Sequence, residues 1–351
     1  MLAGEGLQAR NISQWRAAQQ RLADGRPLAD DHDWRLAPGD LVVIDESAMT
    51  NTADIAAVHD VVQAAGAKLL LTGDHRQLAA VGAAGGMDMI ARVSPAYELT
   101  EARRFTHAWE RDASLALREG DETALGVYRK HGRIIDGSPI ERSQQLAAQA
   151  WLADTLAGRP SLLVVDTNEQ ADRLCAQVRA DLVRLGRVQE QGVPLGLQGT
   201  IAGVGDIVQG RRNGWELRGV DGNRRGPVNR EQYRVLETRE DGGLVVARIV
   251  GRVDGREQLG DRITLPASYV NADLALGYAS TVHSAQGLTV DTTHTVATPR
   301  TGLNGLYVGM SRGRAENTAY VNTQYVPDDA PTGTVNQTVR QDPLGVLAGT
   351  A

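Results

Sequence analysis

The stretch LVVIDESAM, residues 41–49, decides how the rest of the chain is read. Leu41 to Ile44 is a short run of branched apolar residues, the composition of a buried strand, and it delivers two adjacent carboxylates, Asp45 and Glu46, at its end. In open α/β sheets ligands sit beyond the carboxyl ends of the strands, so polar residues directly after a strand are the first candidates for chemistry. There, one carboxylate can hold a divalent cation while its neighbour orients and deprotonates an attacking water. An acidic pair can equally cap a helix, and these two residues alone do not separate the readings.

The neighbouring stretches narrow the choice. The next apolar run, Lys68 to Thr72, leads into LLLTGDHRQLAAVGAAGG, where Gln77 could reach the γ-phosphate that such a water would attack; GDHRQL by itself reads as a turn and helix start with Asp74 as cap. Three further strands are expected over Ser161 to Val165, His294 to Val296 and Leu306 to Gly309, with helices over Thr52 to Ala65, Arg142 to Leu156 and Glu169 to Leu185. That alternation predicts α/β units with parallel sheets. Between about Gly192 and Val270 the texture changes to short alternating strands broken by Gly, the pattern of a small antiparallel barrel or sheet inserted into the second α/β unit.

Composition sets the outer limits. At 351 residues the chain can hold two or three domains, and 42% hydrophobic with 23% charged residues is ordinary for a globular protein. No apolar run approaches the roughly 18–20 residues that span a bilayer, so no membrane insertion is expected. The first residues lack the pattern of a secretory leader, which places the protein in the cytoplasm, and the single cysteine, Cys175, reads as a small core residue. A net charge of −6 gives no general attraction to nucleic acid, so any such site must be a local groove.

The ordered set DESAM, GDHRQL, ARRF, TNEQADRLCAQVRADL, GYASTVHSAQG and YVGMSRGR resembles motifs II, III, IV, IVa, V and VI of superfamily 1 DNA helicases. The resemblance runs from about Leu41 to Val321 and is nearest the RecD-like branch, within it the helicase part of TraI/TrwC-type conjugative relaxases. It implies two RecA-like P-loop NTPase-type α/β domains, the second carrying an SH3-like β-barrel. The expected division is residues 1–100 as a first domain, 101–191 with 271–326 as the second, 192–270 as the insertion and 327–351 as a flexible tail. The last residues, DPLGVLAGTA, read as a helix barely begun.

By the same resemblance the cofactors are ATP and Mg²⁺, with Asp45 and Glu46 for the metal and the water, Gln77 as γ-phosphate sensor, and Arg104 and Arg312 as arginine fingers. Thr167, Asn168, Thr281, His283 and Ser284 match positions that touch single-stranded DNA or couple it to the nucleotide, and Gln286 and Gly287 belong to the coupling loop. For Asn168 a helix N-cap is the competing, compatible role. Translocation 5′ to 3′ is implied, with conjugation or repair proteins as partners; a RecD-like repair-nuclease subunit and a non-catalytic DNA-binding or interaction module are the alternatives.

Three departures stand out. His75 and Ala79 replace prolines common in motif III, Thr289 replaces a common acidic ribose ligand, and no G-x-x-x-x-G-K-[ST] exists, since neither Lys68 nor Lys130 has that context. The expectation is therefore a motor whose phosphate cradle lies upstream of Met1, with little ATP hydrolysis by this chain alone. The tyrosine nucleophile and clustered metal-binding histidines of a relaxase are not seen either, so no DNA nicking is expected.

Overall fold

The computed structural model describes residues 9–74, 76–77, 86–99, 101–253, 255–325 and 338–349. His75 and Ala79 of the third motif lie outside them. The chain divides into two compact units, residues 1–100 and 101–351.

The first unit opens with α1 (Ile12–Ala23), capped by the Asn11 side chain, which accepts from the Gln14 N–H at 2.8 Å. β1 (Leu41–Ile44) pairs in parallel with β2 (Lys68–Leu71), and α2 (Thr52–Ala64) connects them; α3 (Gly86–Val93) follows. Side chains alternate across a strand. Val42, Ile44, Leu69 and Leu71 accordingly pack with Trp15, Val58 and Val62, while Leu41, Val43 and Leu70 on the other face are exposed at 59%, 40% and 46%. These strands are thus half-buried among the described residues, where the sequence suggested burial on both faces.

The second unit begins with α4 (Ala108–Arg118), α5 (Thr123–Lys130), β3 (Ile134–Asp136), α6 (Ile140–Leu156), β4 (Ser161–Val165) and α7 (Asn168–Arg184). The antiparallel part follows: β5 (Val193–Leu195), β6 (Thr200–Ala202), β7 (Ile207–Gly210), β8 (Gln232–Thr238), β9 (Leu244–Val253), β10 (Arg256–Leu265), α8 (Ala267–Asp273) and β11 (Leu274–Leu276). The chain then returns through β12 (Ala279–Thr281), α9 (Val282–Ala285), β13 (Val290–Ala297), α10 (Leu303–Gly309) and β14 (Gly313–Val321). It closes with β15 (Gln324–Tyr325), β16 (Val339–Arg340) and α11 (Pro343–Ala348).

Five strands form a fully parallel sheet in the order β12-β4-β13-β14-β3, the α/β layer expected of a RecA-like domain. One core joins α6, α7 and β4 to the inserted sheet, and a second packs α4, α5, α10 and α11 with β13 and β14. Cys175 is buried in the first core, as its sequence context suggested, and burial pushes its thiol up to about 11.

The insertion is an antiparallel sheet of order β10-β9-β8-β7-β11 with a separate β5-β6 pair, and it extends to Leu276. A buried ion pair ties it to α7. Arg179 Nε donates to Asp206 Oδ2 at 2.8 Å, and the same carboxylate takes the Gly203 N–H at 2.7 Å and the Tyr278 hydroxyl.

Two expectations are corrected here. Leu306 to Gly309 is the end of α10, not a strand: residues 305–309 are all buried, and a short apolar run enclosed on every side carries no period that separates helix from strand. The final strand of the sheet is β14 instead. Nor are residues 338–349 a flexible tail. Val346 and Leu347 of α11 are 2% and 0% exposed against the second core, with Asp342 capping the helix through the Leu344 N–H at 3.0 Å.

Candidate functional site

In the first unit the candidate residues sit where two neighbouring strands end. The Asp45 carboxylate is exposed, and its Oδ1 accepts the Glu46 N–H at 3.1 Å and the Thr72 hydroxyl at 3.0 Å. Thr72 continues the β1-β2 ladder by donating its N–H to Ile44, and its own carbonyl accepts the N–H and hydroxyl of Ser47 at 2.8 and 2.9 Å. Glu46 has φ 51° and ψ 40°, a left-handed conformation uncommon outside glycine, so the chain reverses at this carboxylate.

The third motif packs directly on that turn. A Cβ at Gly73, φ 156°, would stand 3.1 Å from the Ser47 nitrogen and 3.2 Å from that of Ala48, so only glycine lets the two loops approach this closely. Gln77 donates its N–H to the Asp74 carbonyl at 3.1 Å and its Nε2 to the Asp74 carboxylate at 3.3 Å, while its buried Oε1 has no hydrogen-bond partner among the described residues. Asp45, Glu46 and the loop bearing Gln77 therefore share one end of the β1-β2 pair. Among the described residues no group of three or more His, Cys, Asp or Glu forms a metal cage.

In the second unit the candidates form two sets at opposite ends of the parallel sheet. Arg104 and Arg312, 208 positions apart by subtraction of their numbers, meet at Ser311. Arg104 Nη1 donates to the Ser311 carbonyl and Arg312 Nη2 to the Ser311 hydroxyl at 2.8 Å; Arg312 is 1% exposed and also gives Nε to the Val308 carbonyl. They stand just before β14, at the amino ends of the strands. Beneath them the wholly buried Glu110 accepts both the backbone N–H of Asn317, at 3.1 Å, and its side-chain amide, at 2.9 Å. The Asn317 side chain in turn holds the N–H and the carbonyl of Gly313. Burial raises Glu110 to about 7, against the opposing pull of Asn317 and Arg133, and its Oε2 has no partner among the described residues.

At the carboxyl ends, Val165 of β4 is paired with Thr281 of β12, which brings Thr167 and Asn168 beside Thr281, His283 and Ser284. The N-cap of α7 is Thr167, not Asn168: Thr167 is extended and its hydroxyl accepts the Gln170 N–H at 3.2 Å, while Asn168 already lies in the helix. Thr281 caps α9 through the Ser284 N–H at 3.4 Å. His283 is held below its ordinary value by burial and by the nearby Arg230 guanidinium.

The segment from Thr281 to Val290 runs from one set to the other, ending where the Val290 N–H donates to the Arg312 carbonyl at 3.1 Å. It contains Gln286 and Gly287. Gln286 is 9% exposed and neither polar atom of its amide is hydrogen-bonded among the described residues, while Gly287 takes φ 79°.

Sequence reasoning missed two residues. Asp166 binds the hydroxyls of Thr298 at 2.8 Å and Thr301 at 2.7 Å, locking the ends of β4 and β13 together, and burial raises its pKa. It directly follows a strand, so the rule that singled out Asp45 would have found it. Glu110 lacked such a signal, because an acidic residue in an amphipathic helix reads as solvated surface.

An AAA domain family model matches residues 1–139. The chain is 29% identical over 331 residues to the conjugal transfer protein TraA of Rhizobium radiobacter, covering 91% of this chain and 27% of that protein. A probable conjugal transfer protein TraA of Sinorhizobium fredii is 26% identical over 332 residues, covering 90% and 26%. The chain thus spans about a quarter of the length of these relatives. A Bacteroides Pif1 helicase, in complex with ADP-AlF3 and single-stranded DNA, aligns with TM-score 0.49 at 15% identity over 81% of this chain and 70% of that one, a likeness too slight to carry an argument.

The motif order resembles that of superfamily 1 helicases, and the AAA-domain match falls on the part of the chain that carries the first two of those motifs. Over nine-tenths of its length the chain is similar to conjugal transfer proteins TraA.

Proposed function

We propose that this chain is the motor portion of a DNA helicase that couples ATP hydrolysis to 5′ to 3′ movement along single-stranded DNA, as part of a conjugative relaxase or a RecD-like helicase. Residues 1–100 and the parallel-sheet part of 101–351 act as the two RecA-like domains, and the antiparallel insertion acts as an SH3-like accessory domain. The observation that supports this reading most is the 281–290 segment. It links the Thr281 end of the sheet to the Arg312 end and carries the buried Gln286 midway.

The roles follow from the chemistry of each group. Mg²⁺ is commonly bound by one or two carboxylates with water and substrate phosphates, which suits the exposed Asp45, and bound there it would neutralise phosphate charge. Glu46 is the base for the attacking water, Gln77 reports the γ-phosphate once released from Asp74, and Arg104 and Arg312 stabilise charge on the transferring group. Thr167, Asn168, Thr281, His283 and Ser284 line the DNA path. With no G-x-x-x-x-G-K-[ST] in the sequence, the chain by itself turns over little ATP.

The test is ATP hydrolysis by the chain, with and without single-stranded DNA, beside Glu46→Gln and a version carrying a Walker-type segment ahead of residue 1. Silence from the chain and DNA-stimulated turnover from the extended version, lost with Glu46→Gln, is the expected result; silence from both overturns the motor reading. The missing phosphate-binding lysine favours a second reading in that event, a non-catalytic DNA-binding module.

A further inference from the structure

The long loop between β7 and β8 carries Arg230 in a left-handed conformation, φ 66°, one of three non-glycine residues of positive φ among the described residues. Its backbone is fixed on both sides. The Arg230 N–H donates to the Gly210 carbonyl at 2.8 Å, and its carbonyl accepts from Gln209 Nε2 at 3.1 Å, Gln209 itself being 4% exposed. Sparsely populated backbone conformations cost on the order of 1–3 kcal/mol, and glycine would occupy this one without strain. An arginine held there points to a use for its side chain.

Several arginines around this one are committed to carboxylates. Arg225 and Arg248 are both taken up by Glu231, Arg234 and Arg252 by Glu257, and Arg212 by Glu216 and Asp273. Arg230 has no carboxylate partner among the described residues; its exposed Nη1 lies 3.4 Å from the carbonyl of His283 in α9. The loop of the inserted sheet is therefore seated against the segment that carries Thr281, His283 and Ser284. Burial and the adjacent guanidinium both disfavour the protonated form of His283, so the fixed positive charge at this contact is that of Arg230.

We propose that Arg230 is a phosphate-binding residue of the single-stranded DNA path, contributed by the insertion and placed beside His283. The proposal rests on the reading of the Thr281 end as that path. Arginine suits it because its planar fork can keep one N–H on the His283 carbonyl while others bind a phosphate oxygen.

The experiment is fluorescence anisotropy of a labelled thymidine oligonucleotide titrated with the whole chain over a range of salt. Arg230→Gly, Arg230→Lys and Arg184→Ala are compared with the wild type, Arg184 being the last residue of α7 and so at the far end of that helix from Thr167. For Arg230→Gly we expect binding weaker by on the order of tenfold and a slope of log K against log salt shallower by about 0.7, the value for one phosphate contact on a single strand. Its thermal midpoint should be equal or higher, because glycine relieves the left-handed strain. Lys should keep the slope, and Arg184→Ala should change neither quantity. Wild-type binding that Arg230→Gly leaves intact, or that Arg184→Ala weakens equally, overturns this assignment alone. A wild type that does not bind the oligonucleotide overturns the single-stranded DNA reading and this assignment with it.

Discussion

Replacing Glu110 with Gln isolates the buried carboxyl beneath Arg104 and Arg312. Glu110 is 0% exposed and is surrounded by Asn317 and Glu316 of β14, Arg133 before β3, and Tyr128 of α5. Burial moves it from an ordinary 4.5 to about 7. The folded state therefore resists its ionisation: the stability is fully present below 4.5, is lost as pH rises from there through about 7, and stays level above. At about 1.4 kcal/mol per pH unit, the loss is roughly 1.4 kcal/mol by pH 5.5 and about 3.4 kcal/mol by pH 8.5. Glutamine keeps the oxygen that accepts both Asn317 donors and cannot ionise. Urea unfolding of Glu110→Gln and wild type should therefore show the variant gaining about 2 kcal/mol on the wild type between pH 5.5 and 8.5. Parallel pH dependences would refute the buried, reluctant carboxyl and with it the view that Asn317 rests on a neutral acid near neutral pH.

Two other substitutions test the joints of the second unit. Asp206→Ala strands Arg179 in the core and should cost about 3–5 kcal/mol in chemical unfolding, with a paired Arg179→Met/Asp206→Leu change recovering most of it; a loss below about 1 kcal/mol would count against the buried pair. Leu347→Ala leaves a cavity under α11 and should cost about 2–5 kcal/mol. An unchanged thermal midpoint would mean that α11 does not hold to this core in solution.

How much was legible in the sequence varied with the kind of signal. β1, β2 and β4 were readable because branched apolar residues ran four or five long before a polar turn, and the first of these runs led to Asp45 and Glu46, whereas Asp166, in the same position after β4, was passed over. β3 and β12 were not, since three residues give no period and their pairing comes from strands far along the chain. LYVG misled because residues enclosed on all sides lack the polar face that shows a helix. Arg104 and Arg312 were singled out together only by resemblance, and their meeting at Ser311 is a product of the fold that no local pattern announces.

The edge strand β3 pairs with residues 319–321 of β14, and the core behind it is completed by α11. During synthesis, then, residues 134–136 must wait for nearly two hundred further residues before their partner leaves the ribosome, and the cluster around Leu117 and Leu125 waits longer for Leu347. The first unit closes its β1-β2 pair within about thirty residues and faces no such delay. A nascent chain of this protein would accordingly carry an early-formed first unit and a late-closing second one, whose unfinished sheet edge is the part most in need of a chaperone's cover.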